Sequence, residues 1–181
     1  MTAVNDDVPR ELLLPTYQNR LRVIGRQLDL GGYSAINLME IPGGCLIRAM
    51  GPGERIPEAL EFPQSDFPEV MARAITGRGE GARSHRPHPL LPTGYEDFLR
   101  ALGFRLDAQH AEAITVAELE SFIAVGGLVR MEQYSRTGLG PLQSLLRADD
   151  IVALLDEAFR RRTPEIDGGL KRRFRQMRGM G

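Results

Sequence analysis

Apolar residues return at helical spacing in two separated stretches of the chain. Tyr17, Leu21, Ile24 and Leu28 fall on one face of a first helix, and Tyr95, Leu99, Leu102 and Leu106 fall on one face of a second. Thr93 with Glu96 three positions on reads as a capping box, in which each side chain satisfies an orphan donor at the helix start. Thr16 can cap the earlier helix, although Asn19 is too short to close the box. Gly31-Gly32 supplies a left-handed stop without steric cost.

After each helix the pattern changes to short apolar runs. Ala35 to Ile41, then Pro42-Gly43-Gly44, then Cys45 to Met50 predicts a β-hairpin, with a third strand near Ala59–Phe62. The later stretch predicts strands at Ala113–Leu119, at Phe122–Val125 with continuation through Leu128–Met131, and at Leu142–Leu146. Gly126-Gly127 interrupts a strand and suggests a bulge or corner, and Gln133 to Gly140 reads as a longer excursion. A closing helix follows each set of strands. Ser65-Asp66 and Asp149-Asp150 offer N-cap oxygens and negative charge at its start. Phe67, Val70, Met71, Ala74 and Ile75 form one apolar face, and Ile151, Leu154, Leu155, Ala158 and Phe159 form the other.

The two stretches are also related residue by residue. A constant offset of 78 superimposes Tyr17 on Tyr95, Leu21 on Leu99, Arg22 on Arg100, Gly25 on Gly103, Asp29 on Asp107, Ala35 on Ala113, Ile36 on Ile114 and Glu40 on Glu118. The expected fold is α+β: a tandem duplication of a helix–three-stranded antiparallel sheet–helix unit, packed as an intramolecular pseudo-dimer. Residues 12–76 form the first unit, 77–89 a Gly-, Pro- and Arg-rich linker, 90–162 the second unit and 163–181 a basic tail. A unit this small buries little surface alone, so the copies are expected to cover each other. A mid-helix glycine is unfavourable by about 1 kcal/mol against alanine. Its recurrence as Gly25 and Gly103 points to a close approach along the first helices.

Composition narrows the class of protein. Net charge is −1 and there is no Trp and only four Tyr, which disfavours a stacking platform for single-stranded nucleic acid. Cys45 is the sole cysteine, so no internal disulfide forms. Met1 to Glu11 carries Asp6, Asp7 and Glu11 and no apolar run, unlike a signal peptide, and no stretch is long and apolar enough for a membrane span. A cytoplasmic protein without membrane contact is expected. Lys171 is the only lysine among many arginines.

Candidate chemistry is sparse. Arg22, Gly25 and Asp29 share a helix stripe that recurs as Arg100, Gly103 and Asp107. Glu40 and Glu118 continue the apolar strand faces of Ile36/Leu38 and Ile114/Val116, so each needs a partner if buried. Arg22 and Arg100 are the candidates, which makes Arg22, Glu40, Arg100 and Glu118 a repeated structural ion-pair set. Two carboxylates facing a groove between the copies are the alternative use. His85, His88 and His110 with Cys45 lack the ligand spacing of a zinc site. No Gly-x-Ser-x-Gly elbow occurs, and Gly77-Arg78-Gly79-Glu80-Gly81 lacks the Gly-Lys-Ser/Thr ending of a phosphate loop. No catalytic residue, metal or cofactor is expected.

The C-terminal region concentrates charge. Arg160, Arg161, Arg162, Lys171, Arg172, Arg173, Arg175 and Arg178 face only Glu165 and Asp167, a cluster able to bind nucleic acid or an acidic partner. In element order each unit is similar to the double-stranded RNA-binding domain. That resemblance implies RNA contacts from lysines opening the second helix. Here those positions hold Ser65, Asp66 and Glu69, or Asp149 and Asp150, which repel phosphate. The mixture of helices with a three-stranded segment, and the pairing, are also similar to type III secretion chaperones. The leading expectation is a non-catalytic interaction or scaffold protein whose partner is another protein or a second copy. The alternative is nucleic-acid binding through the Arg-rich tail and linker, and a third reading is a small-molecule pocket between the copies.

Overall fold

The computed structural model describes residues 10–76, 88–133 and 136–160. Its elements are α1 (Tyr17–Gly31), β1 (Ser34–Ile41), β2 (Gly44–Met50), β3 (Glu58–Pro63), α2 (Phe67–Thr76), α3 (Tyr95–Ala108), β4 (Ala111–Glu118), β5 (Ile123–Gln133), β6 (Arg136–Leu146) and α4 (Ala148–Arg160). The architecture is mixed α+β, with one six-stranded sheet in the order β3-β2-β1-β4-β5-β6. Every neighbouring pair in it is antiparallel.

Local chemistry sets the element boundaries. Thr16 Oγ1 accepts the Asn19 N–H at the start of α1, and Gly32 ends the helix at φ 66°. Pro42 and Gly43 join β1 to β2, with Gly43 at φ 83° and Ile41 opposite Gly44. The outermost strands carry protection against further pairing: β3 holds Glu58, Glu61 and Pro63, and β6 holds Pro141.

The sheet is joined at its centre by β1 and β4, through Asn37 opposite Ala117, Leu38 opposite Val116 and Met39 opposite Thr115. Alternate residues of these strands point into one core with α1, α3 and α4. Leu21, Leu28, Leu38, Ile47, Leu99, Leu106, Ile114, Val116 and Ile151 all belong to that single cluster. A smaller cluster of Val23, Phe67 and Met71 lies beneath α2.

α1 and α3 meet backbone to backbone. A Cβ on Gly25 would lie 2.6 Å from Tyr95 O, and one on Gly103 would lie 2.6 Å from Tyr17 O and Gln18 Cα. Glycine at these two positions lets the start of each helix rest on the middle of the other.

Several expectations need correction. Thr93 and Glu96 form no capping box: Gly94 is the residue before α3, and Thr93 Oγ1 is buried without a hydrogen-bond partner among the described residues. The extra residue Gly94 moves Thr93 one place out of the capping position, and Glu96 is drawn to Arg22 and Arg26 instead. The Gln133–Gly140 excursion is mostly strand, because β5 and β6 run on together until Gln133 faces Arg136. Gly126-Gly127 does not break β5; the irregularity lies opposite, in β4, between Glu112 and Thr115. Of the Asp149-Asp150 pair, Asp150 reaches back to accept the Arg147 N–H at 3.0 Å. Ser65 and Asp66 lie in a 3-10 turn before α2, where Ser65 donates to Asp66.

Candidate functional site

Two clusters of polar side chains sit where the helices cross the sheet. Asp29, near the end of α1, accepts the N–H groups of Tyr95 and Glu96 at 2.8 and 3.0 Å. Asp107, near the end of α3, accepts those of Tyr17 and Gln18 at 2.9 and 3.0 Å. Each aspartate thus satisfies orphan donors of the other helix and sets a negative charge at its positive end.

The carboxylates of Glu40 and Glu118 are the second feature. Glu40 Oε2 accepts the Tyr17 hydroxyl at 2.6 Å and the Ile114 N–H at 3.1 Å. Glu118 Oε2 accepts the Tyr95 hydroxyl at 2.6 Å and the Ile36 N–H at 2.9 Å. These backbone donors are available because of bulges. The register of β1 shifts between Ser34 and Asn37, and that of β4 between Glu112 and Thr115. Within the bulges Ala35 and Ala113 adopt φ 51° and 49°. A left-handed alanine is unfavourable by roughly 1–2 kcal/mol, and the carboxylate on the next N–H offsets part of that strain.

The remaining oxygens have unlike neighbours. Glu40 Oε1 lies 3.8 Å from an Arg20 terminal nitrogen, and the Arg20 guanidinium stacks 4.8 Å over the Tyr17 ring. Glu118 Oε1 meets His88 Nε2 in a short hydrogen bond. His88 Nδ1 accepts the N–H groups of Leu90 and Leu91, both at 3.1 Å, so the donor proton belongs on Nε2. Its ring meets Tyr95 edge-on at 5.7 Å.

The electrostatics follow from these contacts. Burial pushes the Glu118 carboxyl up, but hydrogen bonds from His88, Tyr95 and the Ile36 N–H together hold it below its ordinary 4.5. Burial first, and then donation to Glu118, raises the Tyr95 phenol far above its ordinary value; burial and donation to Glu40 do the same to Tyr17. Both phenols therefore remain donors. The carboxylate oxygens are engaged by the fold itself, which suits a structural post better than a proton acceptor for substrate.

A group depressed in the folded state stabilises above its unfolded pKa and loses that contribution as pH falls through the folded value. Stability should therefore drop on the acid side of pH 4.5, where Glu118 takes up its proton. Glu118→Gln should flatten that limb of a melting-temperature profile. An unchanged acid limb would remove Glu118 from the account.

The expected ion-pair residues are distributed differently from the sequence reading. Arg22 Nε turns to Glu96 at 3.4 Å, not to Glu40. It is Arg20 that faces Glu40, because it shares the sheetward side of α1 with Tyr17 and Ile24. Arg100 is half-buried on α3, and Glu118 takes His88 as its hydrogen-bond partner. His110 sits in the turn between α3 and β4 at φ 51°. Cys45 is buried, and burial pushes its thiol up, which keeps it unreactive. His85 and the cluster Arg161, Arg162, Lys171, Arg172, Arg173, Arg175 and Arg178 lie outside the described residues, as does the side chain of Arg160. No group of three or more potential metal ligands is found among the described residues.

Sequence reasoning passed over Tyr17, Tyr95, Arg20 and His88 as polar partners. The repeated tyrosines were visible, but they read as apolar helix-face residues. Among the described residues no helix is long and apolar enough to cross a membrane. Comparison with protein-family models, with curated proteins and with solved structures finds no match to this chain.

Proposed function

We propose that the chain is a non-catalytic protein-interaction module, built from two related α+β units locked together as an intramolecular pseudo-dimer. Reciprocity supports the pseudo-dimer. The Tyr17–Glu40–Ile114 and Tyr95–Glu118–Ile36 contacts exchange under the offset of 78 residues, as do the Asp29 and Asp107 caps and the Gly25 and Gly103 approaches. The strand pairing centred on Leu38 and Val116 has the same symmetry.

The observation that carries the interaction reading is the second face of the sheet. Alternation along the strands places Met39, Leu128, Leu139 and Leu145 opposite the helices, where no described element covers them. They are 46%, 38%, 56% and 64% exposed. Ala117 and Ala124 lie in the row that runs from Asn37 to Leu145. Asn37, Thr115, Gln143 and Arg130 share this face and are exposed, so a partner that meets its apolar side chains must match polar ones as well. Another protein or a second copy of this chain meets that requirement.

Met39→Lys with Leu145→Lys tests the reading. The double variant should melt like the wild type, since both positions are exposed, yet lose self-association in sedimentation or the partners captured by the wild type. Retention of every associated species would end this proposal. Nucleic acid in the captured fraction, removed by truncation after Thr163, would support the Arg-rich tail as the binding element instead.

A further inference from the structure

The outer face of the sheet is stepped. Strand alternation puts Leu46 and Arg48 of β2 and Asn37 and Met39 of β1 on that face, while Ile36, Leu38, Ile47 and Ala49 point into the core. The same alternation gives it Thr115 and Ala117 of β4 and Ala124 and Gly126 of β5, with Ile114, Val116, Ile123 and Val125 beneath. Register aligns these residues in two rows. Arg48, Asn37, Ala117 and Ala124 form one, and Leu46, Met39, Thr115 and Gly126 form the next. The β2–β1 half therefore stands high and the β4–β5 half low. At the edges the order reverses, with Ala59 of β3 beyond Arg48 and Leu145 of β6 beyond Ala124.

Two twisted sheets that pack face to face in the aligned manner keep their strands within about 30° of each other. A two-fold axis lying between such sheets therefore runs nearly along the strands or nearly across them. An axis across the strands sets each strand over its own copy. Large side chains would then meet large ones over β1 and β2, while Ala117, Ala124 and Gly126 would face small residues across a gap. An axis along the strands through the middle of the sheet sets β1 over β4 and β2 over β5. The high half of one copy then fills the low half of the other, with Met39 over Thr115, Leu46 over Gly126 and Arg48 over Ala124. Leu128, one step farther along β5, comes over Gly44, and Leu145 lies toward Ala59. Like charges do not meet: Arg48 faces alanine, Glu61 lies toward Gln143, and Arg130 falls over the Pro42-Gly43 turn. The two copies of Asn37 stand beside the axis, where each amide can bond the other.

We propose, on the reading that the outer face is the interaction surface, that its partner is a second copy of this chain, seated face to face about a two-fold axis that runs along the strands. Area agrees with this. Six strands about 4.8 Å apart and about seven residues long cover roughly 700 Å² before the relief of their side chains is counted. A stable complex uses about 800 Å² of each partner. A step that fits its own image presents the same patch on both subunits, as a two-fold interface requires.

Sedimentation equilibrium of the full chain tests this, with the wild type expected as a dimer. Arg48 and Ala124 lie on β2 and β5, three strand spacings or about 14 Å apart in one chain. Exposed charges that far apart are largely screened at physiological salt, where the Debye length is about 8 Å. Ala124→Arg should weaken the dimer at least about tenfold, because it sets a second cation against Arg48 of the other copy. Arg48→Glu added to it should restore wild-type affinity or better. Circular dichroism should show the native fold in both variants. A wild type that stays monomeric at its highest soluble concentration overturns the second copy as partner. The Met39→Lys with Leu145→Lys variant then still decides the interaction reading, through the other partners it retains or loses. A dimer unmoved by Ala124→Arg, or not restored by the second change, overturns the face-to-face arrangement.

Discussion

Leu99→Asp is expected to abolish the cooperative thermal transition at neutral pH, and Leu21→Asp to do the same. Leu99 is 0% exposed and Leu21 1%, each on the sheetward face of its helix and inside the single large core. An aspartate there loses the transfer energy of a leucine, leaves a gap and puts a carboxylate where no donor is placed for it. Substitutions of this kind destabilise by more than about 4 kcal/mol. Whole domains have only about 5–15 kcal/mol of stability. Leu145→Asp, on the outer face at 64% exposure, is the control and should fall within about 0.5 kcal/mol of the wild type. Circular dichroism melts of the three variants check this. A native-like melt for either core variant would show that its helix face was misassigned.

Gly25→Ala and Gly103→Ala carry the second large effect, with a sign opposite to helix propensity. In an isolated helix alanine would gain about 1 kcal/mol over glycine. In this fold the new methyl carbon meets backbone, 2.6 Å from Tyr95 O or from Tyr17 O. Backbone cannot rotate aside as a side chain can, so α1 and α3 must separate. That separation stretches the Asp29 and Asp107 caps at the same crossing. Overpacking of this kind destabilises by roughly 1–3 kcal/mol, and we place each variant near the upper end. Urea unfolding should show a lower midpoint for each single variant. A rise in stability would mean that the helices are farther apart than described.

The elements were legible because their signals are local. Helical spacing in Tyr17–Leu28 and Tyr95–Leu106, the turn at Pro42-Gly43 and the stop at Gly32 each depend on a few adjacent residues. The paired glycines even carried information about the helix crossing, because a mid-helix glycine is unfavourable unless something needs its space. The partners of the polar groups were not legible. Whether Glu40 meets Arg20 or Arg22 depends on which side of α1 faces the sheet, and one residue along a helix turns a side chain through about 100°. The role of Asp29 was hidden for a related reason: its partners, Tyr95 and Glu96, are far along the chain and are backbone groups that every residue possesses. The bulged N–H groups of Ile36 and Ile114 left no mark in composition.

The exchanged aspartate caps have a thermodynamic consequence. Separation of the halves would strip two hydrogen-bonded N–H groups from the head of each first helix at once, along with the central strand pairing. Neither the segment from α1 to α2 nor that from α3 to α4 is therefore expected to fold alone, and loss of structure in one should penalise the other. Damage at either end should propagate into one shared transition, so the molecule melts as a whole.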